Sequence, residues 1–162
     1  MGYSRNSHAL IHHKAMLFAI GGQSHTESTD VCEVYHTSKD YWEDIEPMNI
    51  SRAYPSGWVV DSKIYVFSSL ESTGSPADLS IECLDTKMIY NCWKLINIKV
   101  NRSSNITNLW WFQASGENKI LILQPKDRKL FEFDLDSDYL AFRLNINSAA
   151  LTTYCSSLDK KK

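Results

Sequence analysis

The chain has 162 residues, a length typical of a single domain that can bury a core. Its formal net charge of -2 argues against nucleic-acid binding, because nucleic-acid-binding proteins usually carry a clustered basic surface. No apolar run approaches the roughly 18 residues that a membrane span needs, and the opening MGYSRNSHAL lacks the apolar region of a secretory signal. We therefore expect a cytoplasmic protein that contacts neither nucleic acid nor membrane.

The first part of the chain predicts four short β-strands. Apolar or alternating runs occur at about 8–13, 16–21, 31–35 and 41–45, separated by turn residues, and no segment has a convincing helical period. The second run ends in Gly21-Gly22. A phosphate-binding glycine loop would lead into a helix, whereas QSHTESTD and another strand follow here. The glycine pair therefore predicts a tight turn.

This pattern recurs along the chain. Residues 48–69 align with residues 1–22 without a gap, and ECLDTKMIYNCWKLI aligns with EVYHTSKDYWEDI. A third, weaker copy contains GENKILIL and FEFDLDSDYLAFRL, in which Asp134 matches Asp85 and Phe142 matches Trp93. Four strands in every unit of about fifty residues indicate the blades of a β-propeller.

The motifs of the first unit resemble kelch repeats. They are the strand LFAIGG, a strand that ends at Tyr35, the following Trp42, Pro47-Met48 and Arg52. The second unit has serines in place of the glycine pair, and the third keeps only the apolar skeleton. The resemblance implies an all-β fold, a partial β-propeller of about three four-stranded antiparallel kelch-type blades. The blades are expected at about 1–47, 48–98 and 99–147, and residues 148–162 as a closing strand or the start of a further blade with a basic tail.

The resemblance also implies structural roles for several residues. Gly21 and Gly22 would form the turn after the second strand. Trp42 and Trp93 would lie between neighbouring blades, where large aromatic side chains bury much apolar area, and Tyr35 would pack beneath them.

Three arginines are the candidate binding residues. Arg5 stands sixteen residues before the glycine pair, and Arg52 stands sixteen residues before the serines that replace it. In kelch adaptors that this chain resembles, arginines at this point line the rim of the central channel and bind acidic side chains, a task that suits the planar guanidinium fork. Arg102 is a weaker match, because six extra residues intervene. Alternatively, these arginines cap a blade edge or meet solvent.

The sequence predicts no catalytic residue, metal or cofactor. His12 and His13 are adjacent on a predicted strand, so they face opposite sides and do not readily share a metal. Asp134, Asp136 and Asp138 alternate like calcium ligands, but the glycine and the distal glutamate of a calcium loop are missing.

The most favoured function is therefore a non-enzymatic protein-protein interaction module or scaffold. It would bind an unknown protein or an acidic peptide through blade loops and the channel rim. The alternatives are a galactose-oxidase-like propeller enzyme and a truncated remnant without separate activity. Because closed propellers have four to eight blades, we expect a piece of a longer propeller, self-association, or a partner chain that completes the ring.

Overall fold

The computed structural model describes residues 1–68, 80–90, 92–100, 110–113, 118–124, 128–137 and 139–145. All regular structure within these ranges is β-strand, arranged in small, mainly antiparallel sheets. The predicted all-β fold class is thus confirmed. None of the elements in these ranges is a helix long and apolar enough to cross a membrane.

The first repeat forms a four-stranded sheet with a short hairpin inserted into it. Its strands are β1 (Ala9–His13), β2 (Met16–Ile20), β3 (Gln23–Ser24), β4 (Glu27–Ser28), β5 (Cys32–His36) and β6 (Tyr41–Ile45). The first sheet has the order β1-β2-β5-β6 with antiparallel neighbours, and β3 and β4 form a separate two-stranded sheet.

The second and third repeats each form one further sheet. The second sheet consists of β7 (Pro55–Val60), β8 (Lys63–Ser68), β9 (Ser80–Asp85) and β10 (Lys94–Asn97), in chain order. The third sheet contains β11 (Lys99–Val100), β12 (Trp110–Gln113), β13 (Lys119–Gln124), β14 (Lys129–Asp134) and β15 (Tyr139–Asn145). Its order is β11-β15-β14-β13-β12, and it departs from the expected four antiparallel strands because β11 pairs in parallel with β15. This fifth strand gives the backbone groups at the β15 edge a partner.

The chain divides into two compact units, Met1–Ile96 and Asn97–Lys162. The first unit contains the first sheet and the second sheet apart from the last residue of β10. The second unit contains the third sheet.

The core of the first unit lies between the first and second sheets. It comprises Ala9, Ile11, Phe18, Ile20, Cys32, Val34, Ile45, Met48, Ile64, Val66, Leu84 and Trp93. Burying one large apolar side chain contributes about 1.5–3 kcal/mol, so this cluster is the main source of stability. Burial raises the pKa of the Cys32 thiol to about 12, and Cys32 therefore acts as a small apolar core residue.

The third sheet has apolar residues of its own that are almost fully buried. They are Ile120, Ile122, Leu130, Phe131 and Phe133, each at most 2% exposed. The alternation of strand residues places Ile120, Ile122, Phe131 and Phe133 on one face of the sheet, as their cross-strand pairing shows.

One turn hydrogen bond recurs in all three sheets. The amide of Thr37 donates to the carbonyl oxygen of Ala15 at 3.1 Å, and that of Thr86 donates to Ser62 at 2.8 Å. In the third sheet the amide of Leu135 donates to the carbonyl oxygen of Asn118 at 2.8 Å. The donor residue is threonine in the first two sheets and leucine in the third. The bond aligns the three repeats and thereby identifies their equivalent positions.

Candidate functional site

Arg5 forms an ion pair inside the first repeat. Its Nη2 lies 2.5 Å from Oε2 of Glu33 on β5, and both side chains are 1% exposed. The same guanidinium donates to the carbonyl oxygens of Val31 at 2.6 Å and Ala19 at 3.2 Å, while the Gly2 amide donates to Oε1 of Glu33. The pair therefore ties the segment before β1 to the third strand of the sheet.

Arg52 makes the equivalent ion pair in the second repeat. Its Nη2 lies 3.2 Å from Oε1 of Glu82 on β9, and the side chains of the two residues are 3% and 0% exposed. The guanidinium also donates to the carbonyl oxygen and the hydroxyl of Ser80, at 3.1 and 3.0 Å. The amides of Asn49 and Ile50 donate to the Glu82 carboxylate at 2.6 and 3.1 Å, so this carboxylate is fully engaged.

These contacts correct the prediction that Arg5 and Arg52 line an open rim. Both guanidinium groups are buried, and each is held by a carboxylate of its own repeat. The physical reason is that a buried charge is costly when it is unpaired, and in each repeat a buried glutamate supplies the arginine with a charged, hydrogen-bonded partner. Burial lowers the pKa of the Arg52 guanidinium, and the Glu82 charge opposes this shift. The third candidate, Arg102, lies outside the described residues.

The third repeat has no acid at the position of Glu33 and Glu82. Asp134 pairs across the strands with Lys119, as Asp85 pairs with Lys63, so Asp134 and Asp85 are equivalent. Phe131 stands three residues before Asp134, as Glu82 stands three residues before Asp85, and therefore occupies the position of the acid. Phe131 is 2% exposed. The charged pair is therefore a feature of the first two repeats, and the third buries an aromatic ring instead.

The glutamates were the part of these ion pairs that our sequence reasoning missed. Glu33 and Glu82 occupy the same place in the aligned segments EVYHT and ECLDT, and each opens the strand motif that follows an arginine. An acid repeated in register with an arginine is a signal of pairing that the sequence does contain.

The glycine pair occupies a turn that crowds the loop before β1. Gly21 has φ 58° and Gly22 has φ 101°, values that side chains rarely adopt. A Cβ on Gly22 would lie 2.5 Å from the carbonyl oxygen of Asn6 and 2.9 Å from the amide nitrogen of His8. The Gly22 amide donates to the carbonyl oxygen of Arg52 at 2.9 Å. The turn is thus linked to the arginine-bearing segments of both repeats. In the second repeat, serines replace the two glycines, and the second of them, Ser69, lies outside the described residues.

The predicted structural aromatics differ in burial. Trp93 is 3% exposed and belongs to the core between the first two sheets, where its Nε1 donates to the carbonyl oxygen of Glu46 at 2.9 Å. Trp42 and Tyr35 pair across β5 and β6 with ring centroids 5.2 Å apart, and both are half-buried. Only Trp93 lies between two described sheets.

Two exposed residues follow the buried arginines. Ser7 comes two residues after Arg5 with φ 54°, and Tyr54 comes two residues after Arg52 with φ 50°. Both are exposed, Tyr54 to 45%. A positive φ is uncommon outside glycine and is a genuine outlier for a bulky residue. We call residues 6–8 and 53–54 the anchored loops, because a buried ion pair fixes the segment in which each begins.

Comparison of the chain with known protein families identifies its first repeat. Residues 4–49 match the family described as Kelch motif, a range that includes Arg5, the glycine pair and Trp42. A search of curated proteins found no match. Fold and motif together define an all-β protein of small, mainly antiparallel sheets, the first of which carries the kelch motif. The chain carries a kelch repeat, which confirms the resemblance seen in its sequence, and at the level of the family this motif indicates a protein-interaction module.

No group of three or more histidine, cysteine, aspartate or glutamate side chains in the described ranges could hold a metal ion.

Proposed function

We propose that this chain is a protein-binding module that contacts a peptide or protein through its anchored loops. The observation that carries the proposal is the pairing of exposure with strain at Ser7 and Tyr54. Residues held at sparsely populated backbone angles cost of order 1–3 kcal/mol each and cluster at functional sites. The strain occurs at equivalent positions of two repeats. Lys14 and Asp61 in the hairpin turns also combine positive φ with exposure, and what distinguishes Ser7 and Tyr54 is the buried ion pair two residues before each.

The ion pairs support this proposal through the rigidity that they give to the loops. Arg52 has four hydrogen bonds to Ser80 and Glu82, so the chain entering Tyr54 is held by the third strand of its own sheet. A loop that is already ordered loses less conformational entropy when a partner binds. Tyrosine is also among the residues that contribute most to binding at interfaces.

The partner that this arrangement fits differs from the acidic peptide expected from the sequence. The charges of Arg5 and Arg52 are each neutralised by a buried glutamate, so they are not available to a carboxylate on the partner. We propose instead that recognition depends on the Tyr54 ring and the Ser7 hydroxyl. In this proposal the chain binds rather than catalyses, and it uses no cofactor. The free thiols of Cys32, Cys83 and Cys92 support a cytoplasmic location.

The test is a random-peptide display selection on the purified full-length chain, followed by affinity measurement of the selected peptides. We expect Tyr54→Ala to weaken binding at least about tenfold, which corresponds to about 1.4 kcal/mol. Tyr90→Ala is the matched control, because Tyr90 is 65% exposed and lies in the turn between β9 and β10. Thermal melting of both variants checks that folding is retained.

Equal affinity of the Tyr54→Ala variant and the parent chain would remove the anchored loops from the binding site. Selection of acidic peptides whose binding is lost in Arg102→Ala would move the site to the third repeat. A selection that yields no binding peptide would count against the whole proposal.

A further inference from the structure

Two half-buried histidines stand at the two ends of the first strand. His8 immediately precedes β1, and His13 is its last residue. One ring nitrogen of each is buried, Nδ1 in His8 and Nε2 in His13, and neither atom has a hydrogen-bond partner among the residues that the structure describes. His12, in the same strand, is exposed. The two end histidines thus share an environment that the third histidine of this segment lacks.

The burial of one nitrogen in each ring favours the neutral imidazole. A neutral ring has one donor and one acceptor nitrogen, whereas a protonated ring has two donors. In the neutral form the proton can lie on the other nitrogen, so that the buried nitrogen is an acceptor. Protonation places an N–H at the buried position, where no acceptor of the described residues meets it, and a buried donor without an acceptor is costly.

The groups around His8 do not supply the missing acceptor. Nε of Arg5 is also buried and unpaired, but it is a donor. Both oxygens of the Glu33 carboxylate already accept hydrogen bonds, one from Arg5 and one from the Gly2 amide. Burial, followed by the Arg5 charge, lowers the pKa of His8 below the usual 6.5, and the Glu33 charge opposes this shift.

The surroundings of His13 act in the same direction. Burial, followed by the charges of Lys14 and His12, lowers the pKa of His13 below the usual 6.5. The strands β2 and β7, which pack against β1, contain no titratable side chain. The other titratable residues at this end of β1 are His36, which shares the cross-strand row of His13 through Met16 and is paired with Glu43, and Asp61 and Lys63 at the β7–β8 turn.

The position of β1 makes it sensitive to a change at its ends. It is an edge strand that pairs within its sheet only with β2. Elements with few backbone partners open at a lower free energy than the centre of a sheet. A cost that arises at both ends of this strand therefore acts on one of the more weakly held elements of the first unit.

We propose that His8 and His13 form an acid-sensitive device that holds β1 in place at neutral pH and loosens it in mild acid. The device combines a ring nitrogen without an acceptor at each end of the strand with an edge position in the sheet. His8 also belongs to the anchored loop of residues 6–8, so acid should weaken a partner bound there. This last consequence alone rests on the proposed function.

The direction of the pH effect follows from which state binds more protons. Because the two pKa values are lowered in the folded chain, the unfolded chain holds more protons at a pH just below 6.5. The contribution of the two neutral rings to stability is complete above that pH. It decreases as the pH falls through 6.5 toward the lowered pKa values.

The first test is amide hydrogen exchange of the full-length parent chain at pH about 7.5 and about 5.5, corrected for the intrinsic exchange rates. We expect residues 9–13 to open severalfold more often at the lower pH. The strand β8 (Lys63–Ser68), which contains no histidine, is the internal comparison and should change less. This measurement requires neither a variant nor a bound partner, so its outcome is separate from that of the proposed function.

The second test compares thermal unfolding of variants at the same two pH values. The double variant His8→Gln and His13→Gln should lose roughly half or more of the decrease in melting temperature that acid causes in the parent chain. His12→Gln is the matched control, because His12 is exposed and lies in the same strand, and it should retain the parent's decrease. Circular dichroism checks that each variant is folded.

Two results would overturn the proposal. One is equal exchange of residues 9–13 at both pH values. The other is a folded double variant whose melting temperature falls in acid as much as that of the His12→Gln control.

Discussion

Each of the buried arginines Arg5 and Arg52 pairs with a buried carboxylate, and removing the arginine would leave that carboxylate as an unpaired buried charge. Arg52 and Glu82 are 3% and 0% exposed, and the amides of Asn49 and Ile50 also donate to the Glu82 carboxylate. We expect Arg52→Ala to lower the free energy of unfolding by about 3–5 kcal/mol, because an unpaired buried charge remains. Urea denaturation followed by circular dichroism measures the change.

Lys94→Ala is the control for this prediction, since Lys94 is an exposed cation on a strand. We expect it to change the free energy of unfolding by no more than about 0.5 kcal/mol. An Arg52→Ala variant that lowers the free energy of unfolding no more than Lys94→Ala would contradict this prediction. It would mean that the Glu82 carboxylate is hydrated in the variant and that the ion pair does not fix the loop.

The two glycines of the turn should differ in their tolerance of a side chain. At Gly22 a Cβ meets the backbone of Asn6 at 2.5 Å and of His8 at 2.9 Å, whereas at Gly21 it meets the flexible end of Met48 at 2.9 Å and the Arg52 carbonyl oxygen at 3.0 Å. Backbone strain of this kind costs roughly 1–3 kcal/mol. We expect Gly22→Ala to destabilise the chain by the upper part of this range and Gly21→Ala by less, as measured by thermal unfolding. The reverse order would mean that the Met48 contact is the tighter one.

At the scale of elements, burial between sheets decides what each tryptophan contributes. Trp93 fills the space between the first two sheets, and Trp42 lies half-buried on the face of the first sheet that is opposite to this core. We expect Trp93→Ala to cost about 3–5 kcal/mol, the usual range for an aromatic residue in a core. Trp42→Ala should cost clearly less, because its side chain is only half-buried, and urea denaturation of the two variants measures the difference.

A cost for Trp42→Ala equal to that for Trp93→Ala would contradict the difference in burial between the two side chains.

The sheets repeat one plan, yet each repeat fills it with different chemistry. The turn bond between equivalent backbone groups is present in all three, whereas the acid of the first two becomes Phe131 in the third. Backbone geometry depends on the strand and turn pattern, which many side chains satisfy. A charged pair needs both partners, so the third repeat, with Phe131 in place of the acid, does not form this pair at the equivalent position.

At the scale of the molecule, the first two sheets form a unit with a complete core. Among the described residues, the core cluster between these sheets contains none beyond Trp93. The compact unit ends at Ile96. We therefore expect a chain shortened to residues 1–98 to fold, with β-sheet circular dichroism and a cooperative thermal transition. The matched comparison is the same shortened chain with Trp93→Ala, which should lose cooperativity. A disordered 1–98 chain would show that the rest of the protein is needed for the first unit to fold.

The sequence by itself determined the strand pattern, the repeat of about fifty residues and the kelch motif of the first copy. These features are local, because alternation and turn residues act over a few neighbours. The same reasoning misplaced Arg5 and Arg52, since whether a charge is exposed depends on the groups that distant strands bring near it. Glu33 is on the third strand of its sheet and Arg5 precedes the first, so only the folded sheet puts them together.

The tertiary structure likewise decided which tryptophan is buried and which sheet face stays open. The two repeats supply matching residues to both positions, and the sequence treats Trp42 and Trp93 alike. Their difference arises because a neighbouring sheet packs over Trp93, whereas Trp42 lies on the far side of the first sheet. Burial is a property of what surrounds a residue, so one motif acquires two roles according to its place in the array of sheets.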